Sequence, residues 1–596
     1  MSGRIARACA ALLLAGCAAP VAPSETPTVA QARAFFEETE SELLGLWIAS
    51  GRAAWVKSTY LTEDTERIEA AASEAVMAAT SRRAREALRF EKLDLPQDLR
   101  RKLDFLRLSL SLPAPAGAAE RAELARIASQ LEGHYGRGKY CRQDDCLSLD
   151  DLTEIMARSR DADRLLEVWT GWHAIAPPMR ASYARLVELA NAGARELGFA
   201  DVGDLWRSRY DMPAAAFEAE VHRLWQQVKP LYEALHCYAR ARLSAHYGAD
   251  RVSPTGPLPA HLLGNMWAQE WGNLTDLLLP EKGGAIDLGA AFARKKIDER
   301  EMVRYGERFF TSLGLLPLPP SFWERSLFTR PRDREVVCHA SAWDIDYQDD
   351  LRIKMCIRRN EEDFTTIHHE LGHNYYQVAY RKLPPLFRES AHDGFHEGLG
   401  DTIALSVTPS YLVEVGLLEK PPADELPPLL ERALEKIAFL PFGLLVDQWR
   451  WEVFSGRVAP ADYNRRWWEL RLLYQGVAPP TPRGEELFDP GAKYHIPASV
   501  PYTRYFLAAI LQFQFHRALC QTAGHRGPLH TCSIYGSREA GARLARMMEM
   551  GSSRPWPEAL AALTGERRMD AGALLEYFQP VSEYLAAENR GRQCGW

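Results

Sequence analysis

Two histidines four positions apart, with a glutamate directly after the first, are the residues of this 596-residue chain best suited to chemistry. The segment reads His369-Glu370-Leu371-Gly372-His373. Residues four apart on an α-helix share one face, so the two imidazoles can bind a single zinc ion. Glu370 would then lie beside the open coordination position, where it can take a proton from water. The alternative is a pair of solvated histidines on a helix surface.

A second segment argues against that alternative. Residues 394–401 read GFHEGLGD, and Glu397 follows His373 by 24 positions. A carboxylate from a second helix completes a catalytic zinc site, which has three protein ligands and room for water. Asp401 lies one helical turn beyond Glu397, where an outer hydrogen-bond acceptor for a ligand histidine would stand. We therefore predict that zinc is bound by His369, His373 and Glu397, with Asp401 as support.

Long amphipathic helices are predicted to position these groups. The motif lies in a strongly helical stretch, residues 365–380, and two β-rich runs, 335–343 and 351–357, predict a hairpin before it. Apolar residues recur at helical spacing over residues 29–107, 214–247, 426–451, 501–519 and 540–550. The predicted fold is mainly α. Because no internal repeat is present, we predict one large domain over residues 29–596.

The first residues predict export and lipid anchoring. A positively charged start precedes the apolar stretch 8–15, and residues 14–17 read LAGC, which resembles a bacterial lipoprotein signal. We predict a signal peptide over 1–17, lipidation of Cys17 and a tether over 18–28. The chain would then be anchored in the bacterial cell envelope, in the periplasm or at the outer membrane. The alternative is a plain signal peptide that is cleaved elsewhere.

Eight of the ten cysteines remain once Cys9 leaves with the signal and Cys17 is lipidated. In the oxidising environment of an exported protein, disulfides are the expected fate of close pairs. A zinc site made of cysteines needs Cys-x-x-Cys spacing, which the chain lacks. Cys237 and Cys594 have no predicted partner. The predicted disulfides are Cys141–Cys146, Cys338–Cys356 and Cys520–Cys532.

Composition excludes other classes of protein. The 72 Lys and Arg residues are outnumbered by 79 Asp and Glu, so no basic surplus is available to neutralise phosphates. After the N-terminal signal, no apolar run approaches the roughly 20 residues of a membrane-spanning helix. We therefore predict neither a nucleic-acid partner nor a multispan membrane protein. The lipid anchor would be the only membrane contact.

With these motifs the chain resembles the peptidyl-dipeptidase A family, the angiotensin-converting enzyme-like zinc metallopeptidases, in a bacterial single-domain lipoprotein form. The likeness covers nearly all of the chain after the signal. It implies a large two-lobed helical domain with a deep central cleft and a small hairpin near the active site. The three cysteine pairs also match the family's disulfides. The matching segments are 262–273, 336–344, 368–373, 394–401, 436–451, 491–506 and 511–535.

The resemblance implies a zinc-dependent dipeptidyl carboxypeptidase, which removes C-terminal dipeptides from oligopeptides. Glu370 matches the base that activates water. Tyr505 and His495 match the groups that stabilise the oxyanion together with zinc. Taken singly, a tyrosine and a histidine near a helix start are more often ordinary packing residues, so this assignment depends on the surrounding match.

Residues for substrate binding are also implied by the resemblance. Gln269, Lys493 and Tyr502 match a clamp for the C-terminal carboxylate, made of one cation and two neutral hydrogen-bond donors. Such a clamp fixes the distance from the end of the peptide to zinc, which leaves room for two residues. Without the resemblance, Lys493 would be taken for a solvated surface lysine and Gln269 for an amide at the rim of the core.

Two further features of the substrate site follow from the same match. His339, Ala340 and Ala342 match a strand to which a peptide can add by β-pairing. The alternative is a hairpin with a purely structural role. Phe439 matches an aromatic wall of the pocket for the C-terminal side chain. Ala509 stands where vertebrate members have phenylalanine, so we expect a wider pocket.

Chloride is implied as an activator, bound at two sites. Tyr210 and Arg504 match the ligands of one site, and Trp467 and Arg471 match part of the other. His173 replaces a third arginine of the second site. Because the ordinary pKa of histidine is about 6.5, His173 is expected to carry a charge only in mildly acidic medium. We therefore expect activation through Arg504, with little from the second site.

Two other interpretations stay open at this point. One is a zinc oligopeptidase or carboxypeptidase of different specificity that uses the same metal site. The other is a non-catalytic lipoprotein that binds peptides. The presence of Glu370, Tyr505 and His495 argues against the second interpretation, because binding alone does not need these groups.

Overall fold

The computed structural model describes residues 27–143, 145–279 and 288–596, and this part of the chain is mainly α-helical, which confirms the predicted fold class. The two lobes and the central cleft stay a prediction. In chain order, the helices are α1 Val29–Thr59, α2 Glu63–Ala87, α3 Gln97–Leu108, α4 Ala118–Gly136, α5 Leu149–Arg158, α6 Ala162–His173, α7 Arg180–Glu196, α8 Val202–Ser208, α9 Ala214–Tyr247, α10 Thr275–Leu278, α11 Leu288–Lys295, α12 Glu299–Ser312, α13 Pro320–Arg325, α14 Glu361–Tyr380, α15 Asp393–Leu405, α16 Pro409–Glu414, α17 Leu426–Phe454, α18 Tyr463–Leu470, α19 Thr503–Thr522, α20 Arg538–Met548, α21 Trp556–Thr564, α22 Gly572–Tyr577 and α23 Gln579–Glu588.

Short strands pair in three small sheets within the described residues. β1 and β2 pair antiparallel, β3 and β6 parallel, and β4 and β5 form the antiparallel hairpin that the sequence predicts, with Ala342 opposite Ile353. The strands are β1 Tyr140–Arg142, β2 Asp145–Leu147, β3 Leu258–Pro259, β4 Ser341–Asp344, β5 Leu351–Lys354 and β6 Val477–Ala478.

The hairpin is shorter than its sequence predicts, and a side chain accounts for the difference. Lys354 Nζ donates to the backbone carbonyls of Val337 and His339, both at 2.6 Å. An ammonium group therefore satisfies carbonyls that a longer strand would pair with backbone N–H groups. The predicted disulfide Cys338–Cys356 joins the two chain segments just outside the paired residues.

Buried long helices form the centre of the described fold. The second half of α17, from residue 437 to 454, is almost entirely buried, apart from Phe439, which is partly exposed. A helix that is apolar on nearly all sides belongs in a protein interior. α17 packs against both α9 and α19, and α15 also packs against α19. Helices α9, α15, α17 and α19 are thus held in one packed unit.

All three predicted disulfides are present, together with a fourth that joins Cys237 to Cys594. Its partners are 357 residues apart. Cys237 lies on α9, where Arg240 donates hydrogen bonds to the backbone carbonyls of Gln593 and Gly595 at 2.6 and 2.5 Å. The disulfide and these bonds fasten residues 593–596 to α9.

Removal of the long-range disulfide is expected to lower stability more than removal of a short one. The double variant Cys237→Ser/Cys594→Ser should lose about 2–4 kcal/mol of unfolding free energy, because the long loop in the unfolded chain is released. The matched control is Cys141→Ser/Cys146→Ser, whose loop spans a sequence separation of 5. Urea unfolding under non-reducing conditions measures both. Equal losses in the two variants would contradict this expectation.

The predicted signal peptide and Cys17 lie outside the described residues, as does most of the tether. The first described helix, α1, begins at Val29. No helix in the described ranges is both long enough and apolar enough to cross a membrane.

Candidate metal centre and active site

Helix α14 carries the two histidines of the motif, and its sequence explains where it begins. The Asn360 side chain accepts a hydrogen bond from the backbone N–H of Asp363 at 2.9 Å, which caps the first turn. Asp363 and the two glutamates before it complement the positive end of the helix dipole. His369 and His373 follow in the middle of the helix, one turn apart.

Two glycines allow α14 and α15 to cross closely. A Cβ atom on Gly372 would lie 3.0 Å from the Cα of Gly400, and a Cβ on Gly400 would lie 2.8 Å from the His369 ring. Both distances are shorter than carbon contacts in packed proteins. Any larger residue at either position would therefore push the helices apart and separate His369 from Glu397 on α15.

The side chains of the three predicted zinc ligands converge. The Nε2 atoms of His369 and His373 are 3.1 Å apart, and Oε2 of Glu397 lies 3.7 and 4.0 Å from them. A point about 2.1 Å from all three atoms exists in their plane, which matches zinc–ligand distances in proteins. Two imidazoles and one carboxylate are also a typical donor set for catalytic zinc. These residues therefore fit a zinc ion.

Outer hydrogen bonds orient both histidines. His369 Nδ1 lies 3.2 Å from Asp401 Oδ1, and the other oxygen of Asp401 accepts a hydrogen bond from Lys436 Nζ at 3.1 Å. His373 Nδ1 instead lies 3.1 Å from Nδ1 of His396, so its outer partner is an imidazole. Such partners set the ring orientation and the tautomer of a ligand histidine.

The electrostatics of the cluster favour a positive charge at its centre. Burial lowers the pKa of His369, but hydrogen bonds with Asp401 and Glu397 outweigh it and raise that pKa to about 10. Burial and the neighbouring His369 lower the pKa of His373 well below its ordinary value. The carboxylates thus hold one positive charge where the ligand atoms meet. A divalent cation would take the place of that proton.

Glu370 directly follows His369 on α14, is influenced by the charges of His369 and Glu397, and is not one of the three converging side chains. It is 7% exposed. Burial raises its pKa, and Glu397 adds to the effect, while His369 opposes it. A carboxylate whose pKa is raised by burial suits a general base that accepts a proton and later returns it.

A buried ion pair on α17 holds the segment that leads into α19. Asp447 and Arg450 contact each other, and Arg450 donates to the backbone carbonyls of His495 and Val500 at 2.8 and 2.7 Å. Asp447 Oδ2 accepts hydrogen bonds from the N–H groups of residues 502–503, both at 2.7 Å. The start of α19 is therefore capped from a neighbouring helix.

This anchoring positions His495 and Tyr505, whose rings are 5.7 Å apart and nearly perpendicular. Burial, aided by nearby positive charges, lowers the pKa of His495 to about 2, so the ring is neutral and keeps one N–H donor. Burial raises the pKa of Tyr505, and the carboxylate of Glu397 adds to this effect. Both groups are therefore hydrogen-bond donors at neutral pH.

The three predicted clamp residues also come together. Lys493 Nζ donates to Gln269 Oε1 at 2.7 Å, and the Tyr502 hydroxyl lies 3.5 Å from the same oxygen. Lys493 is 6% exposed, and its Nζ lies 4.0 Å from the centre of the Trp267 ring. Burial lowers its pKa to about 7. In the described part of the chain, no carboxylate lies within ion-pair distance of this amine.

The hairpin lies close to the metal cluster. His339 is exposed and near enough to Glu370 to influence the pKa of that carboxyl. Ala340 precedes β4 directly, and Ala342 lies within it. Among the described strands, β4 has β5 as its single neighbour, so no described strand pairs with its other edge.

One residue of the predicted side-chain pocket, Phe439, lies near a clamp residue. The ring of Phe439, on α17, is 6.1 Å from the ring of Tyr502. Ala509 lies on α19 and is 5% exposed. An alanine at a buried position presents a single methyl group, and the wider pocket stays a prediction.

Arg471, a predicted chloride ligand, is buried and poorly satisfied. It is 3% exposed, and its Nε and Nη2 atoms have no hydrogen-bond partner in the residues described. Its guanidinium lies over the rings of Phe442 and Trp467, at 5.3 and 6.0 Å. Burial lowers the pKa of His173 to about 4. Burial therefore acts against the expectation that His173 becomes charged in mildly acidic medium, and that expectation stays a prediction.

Tyr210 and Arg504, the other predicted chloride ligands, come together around a residue that the sequence analysis did not single out. The Tyr210 hydroxyl donates to Asp393 Oδ1 at 3.0 Å, and Arg504 Nε lies 3.2 Å from Asp393 Oδ2. The position between the two predicted ligands is thus taken by a carboxylate of the chain.

Several supporting residues were missed, although each lies in or next to a matching segment. His396 lies within residues 394–401, and Asp393 directly precedes that segment. Lys436 opens the matching segment 436–451. In each case the partner belongs to a distant or differently oriented part of the chain, so spacing alone does not reveal the contact.

Comparisons with known proteins agree with this geometry. A family model described as "Angiotensin-converting enzyme" matches residues 26–596. Angiotensin-converting enzyme of Oryctolagus cuniculus is 44% identical over 578 residues, which are 95% of this chain and 44% of the relative. The protein of the same name from Bos taurus is 44% identical over 582 residues, 95% of this chain and 44% of the relative. That from Theromyzon tessulatum is 40% identical over 544 residues, 89% of this chain and 88% of the relative.

The chain spans less than half the length of the first two relatives and most of the third. The family model includes every residue of the converging cluster, the clamp and the hairpin. This chain therefore belongs to the angiotensin-converting enzyme family of peptidases, which confirms the family predicted from its motifs.

Proposed function

We propose that this chain is a zinc-dependent dipeptidyl carboxypeptidase that acts on oligopeptides. One observation carries the proposal: the fold that brings three ligand-type side chains together also buries a lysine, Lys493, that has no carboxylate within ion-pair distance among the described residues. The cluster supports hydrolysis, and the lysine supports recognition of a peptide's free C-terminus. The metal cluster alone would support a peptidase but would not indicate which peptide bond it cleaves.

His369, His373 and Glu397 would hold the zinc ion. Zinc, when bound there, lowers the pKa of a water molecule and polarises the carbonyl of the peptide bond to be cleaved. Asp401 and Lys436 would keep His369 in the orientation and tautomer of a ligand.

Glu370 would accept the proton of the attacking water and return it to the leaving amine. The support for this role is its raised pKa and its place directly after His369 on α14. Tyr505 and His495 would donate hydrogen bonds to the oxygen that gains negative charge. The support for this role is that neutral His495 keeps one N–H and Tyr505 keeps its O–H, because a donor must carry its proton when the negative charge develops.

Gln269, Lys493 and Tyr502 would bind the peptide's terminal carboxylate. Lys493 is a buried amine with no carboxylate within ion-pair distance among the described residues, although the charge of Glu270 partly opposes the effect of burial on its pKa. A peptide carboxylate would supply a direct partner with a charge-assisted hydrogen bond. If the clamp holds the C-terminal carboxylate at a fixed distance from the metal cluster, that distance determines which peptide bond reaches the metal. Ala340 and Ala342 would pair with the peptide backbone at the edge of β4 that no described strand occupies, next to His339. Phe439 would contact the last side chain.

The clamp predicts that activity depends on a free carboxylate at the peptide's end. Amidation of the substrate should lower kcat/KM by about 10²-fold or more, because it removes the charge that Lys493 pairs with. Lys493→Ala should narrow the difference between free and amidated peptides, and Lys493→Arg is the control that keeps the charge. Equal rates on the two peptides with the unaltered enzyme would contradict the clamp.

The same residue gives a dependence on pH. A lysine is charged below its pKa, and burial lowers the pKa of Lys493 to about 7. In the free enzyme, the charge is therefore lost as the pH rises through about 7. We expect kcat/KM for the peptide with a free carboxylate to fall as the pH rises through about 7. For the amidated peptide, kcat/KM should not fall over this pH range.

The resemblance implies that chloride acts through Arg504, but Asp393 already contacts both Tyr210 and Arg504, so chloride would instead bind beside Arg471. The supporting observation is a buried guanidinium with two nitrogen atoms that lack hydrogen-bond partners among the described residues. Burial lowers the pKa of Arg471 to about 9, so its charge is costly without an anion. Trp467 would border the ion, and neutral His173 would contribute no charge.

Residues 29–596 would form the single catalytic domain, joined by the tether 18–28 to a lipid at Cys17. The support is the signal-like sequence at residues 1–17 and the family match that begins at residue 26. The protein would then act in the bacterial cell envelope, on peptides that reach the periplasm or the outer membrane.

A further inference from the structure

Oδ1 of Asp393 accepts a hydrogen bond from the hydroxyl of Tyr210, and Oδ2 forms an ion pair with the guanidinium of Arg504, whose Nε lies 3.2 Å away. The resemblance to the family implies a chloride ion between these same two residues. A negative charge at this position is therefore already part of the chain.

The surroundings stabilise Asp393 as an anion. Burial raises its pKa, but Arg504, Arg209 and His392 outweigh burial and lower that pKa below its ordinary value. The side chains of Asp393 and Arg504 are 21% and 25% exposed. Both line a cavity of about 390 Å³, which Glu397 also lines, so small ions from solution have access to the pair.

The pair connects two helices that the reaction needs. Asp393 is the first residue of α15, and the zinc ligand Glu397 follows one turn later. Arg504 is the second residue of α19, directly before Tyr505. A carboxylate in a first helical turn also interacts favourably with the helix dipole. The contact between Asp393 and Arg504 thus links the helix of a metal ligand to the helix of an oxyanion donor.

We propose that Asp393 is a positioning residue, which supplies from the chain itself the anion that holds Arg504 and, through it, Tyr505. A tethered carboxylate is present at high effective concentration whatever the chloride concentration. It also excludes chloride from this position by charge and by volume. The inference rests on the proposed function, because Tyr505 has its role only in that reaction. Chloride is then restricted to the position beside Arg471.

Two variants of one residue separate charge from volume. Asp393→Ala removes both and leaves space for an ion between Tyr210 and Arg504. Asp393→Asn removes the charge but keeps the volume. In chloride-free buffer, with ionic strength held constant by gluconate, both variants should lose about 10- to 100-fold in kcat/KM. Added chloride should restore the kcat/KM of Asp393→Ala in a saturable manner, whereas the kcat/KM of Asp393→Asn should stay low.

Location of the anion gives a readout that does not depend on catalysis. Crystals soaked in sodium bromide show bound bromide by anomalous scattering. We expect no bromide between Tyr210 and Arg504 in the unaltered protein, and bromide at that position in Asp393→Ala. Failure of the proposed peptidase activity would leave this result unchanged, so the two failures are distinguishable.

Three results would overturn the proposal. The first is bromide between Tyr210 and Arg504 in the unaltered protein, a result that stands even if a variant does not fold. The second is a folded Asp393→Ala protein with normal chloride-free activity. The third is an equal chloride response of Asp393→Ala and Asp393→Asn, which would show that the space left by the carboxylate is not where chloride acts.

Discussion

Glu370→Gln is expected to keep zinc and to lose about 10²- to 10⁴-fold in kcat, the largest effect that we predict for a single change. The amide has nearly the same shape as the carboxylate but cannot accept a proton from water. Because Glu370 is not one of the three converging side chains, metal binding should be unchanged. Zinc content by atomic absorption and steady-state rates on one peptide measure the two properties separately.

The matched control is Glu362→Gln, an exposed glutamate in the first turn of the same helix. This variant should behave like the unaltered enzyme, since the side chain is remote from the cluster in the helix sequence. Near-normal turnover of Glu370→Gln would mean that another group activates the water. Loss of zinc from Glu370→Gln would mean that Glu370 is a ligand.

The second large effect is expected for the metal itself. Glu397→Gln should weaken zinc binding by more than about 100-fold, because it replaces a charged ligand by a neutral amide. Asp401→Asn should weaken it by about 10- to 100-fold, since Asp401 acts through His369 and not on the metal. Competition with a zinc-binding dye measures both affinities without any assay of activity.

The loss of zinc affinity should decrease from the ligand outward, in the order Glu397, Asp401, Lys436. Lys436→Gln, one contact further out, should have a smaller effect than Asp401→Asn, because Asp401 keeps its hydrogen bond to His369. A larger loss in Asp401→Asn than in Glu397→Gln would contradict the assignment of Glu397 as a ligand.

Much of this arrangement could be predicted from local patterns. The helix predicted over residues 214–247 coincides with α9, and those over 426–451, 501–519 and 540–550 agree with α17, α19 and α20 within three residues at each end. Long amphipathic or apolar runs fix helix positions through their periodicity. The ligand cluster was also predictable, because His369 and His373 share one turn and Glu397 lies in a second motif.

Contacts between distant segments could not be predicted in this way. Cys237 and Cys594 are 357 positions apart, and nothing in their local sequence identifies them as partners. The proposed role of Asp393 depends on Tyr210, in the turn after α8, and on Arg504, on α19. His173 shows the same limit, because its pKa depends on burial, and burial depends on the packed fold.

The most direct test of the proposed dipeptidyl carboxypeptidase activity is to measure the masses of the products formed from one defined decapeptide with a free C-terminus. The zinc-loaded enzyme should release the last two residues first and then further dipeptides in order. Treatment with a chelator should stop the release, and zinc should restore it. Release of single residues, cleavage at internal bonds or activity that survives the chelator would contradict a zinc-dependent dipeptidyl carboxypeptidase.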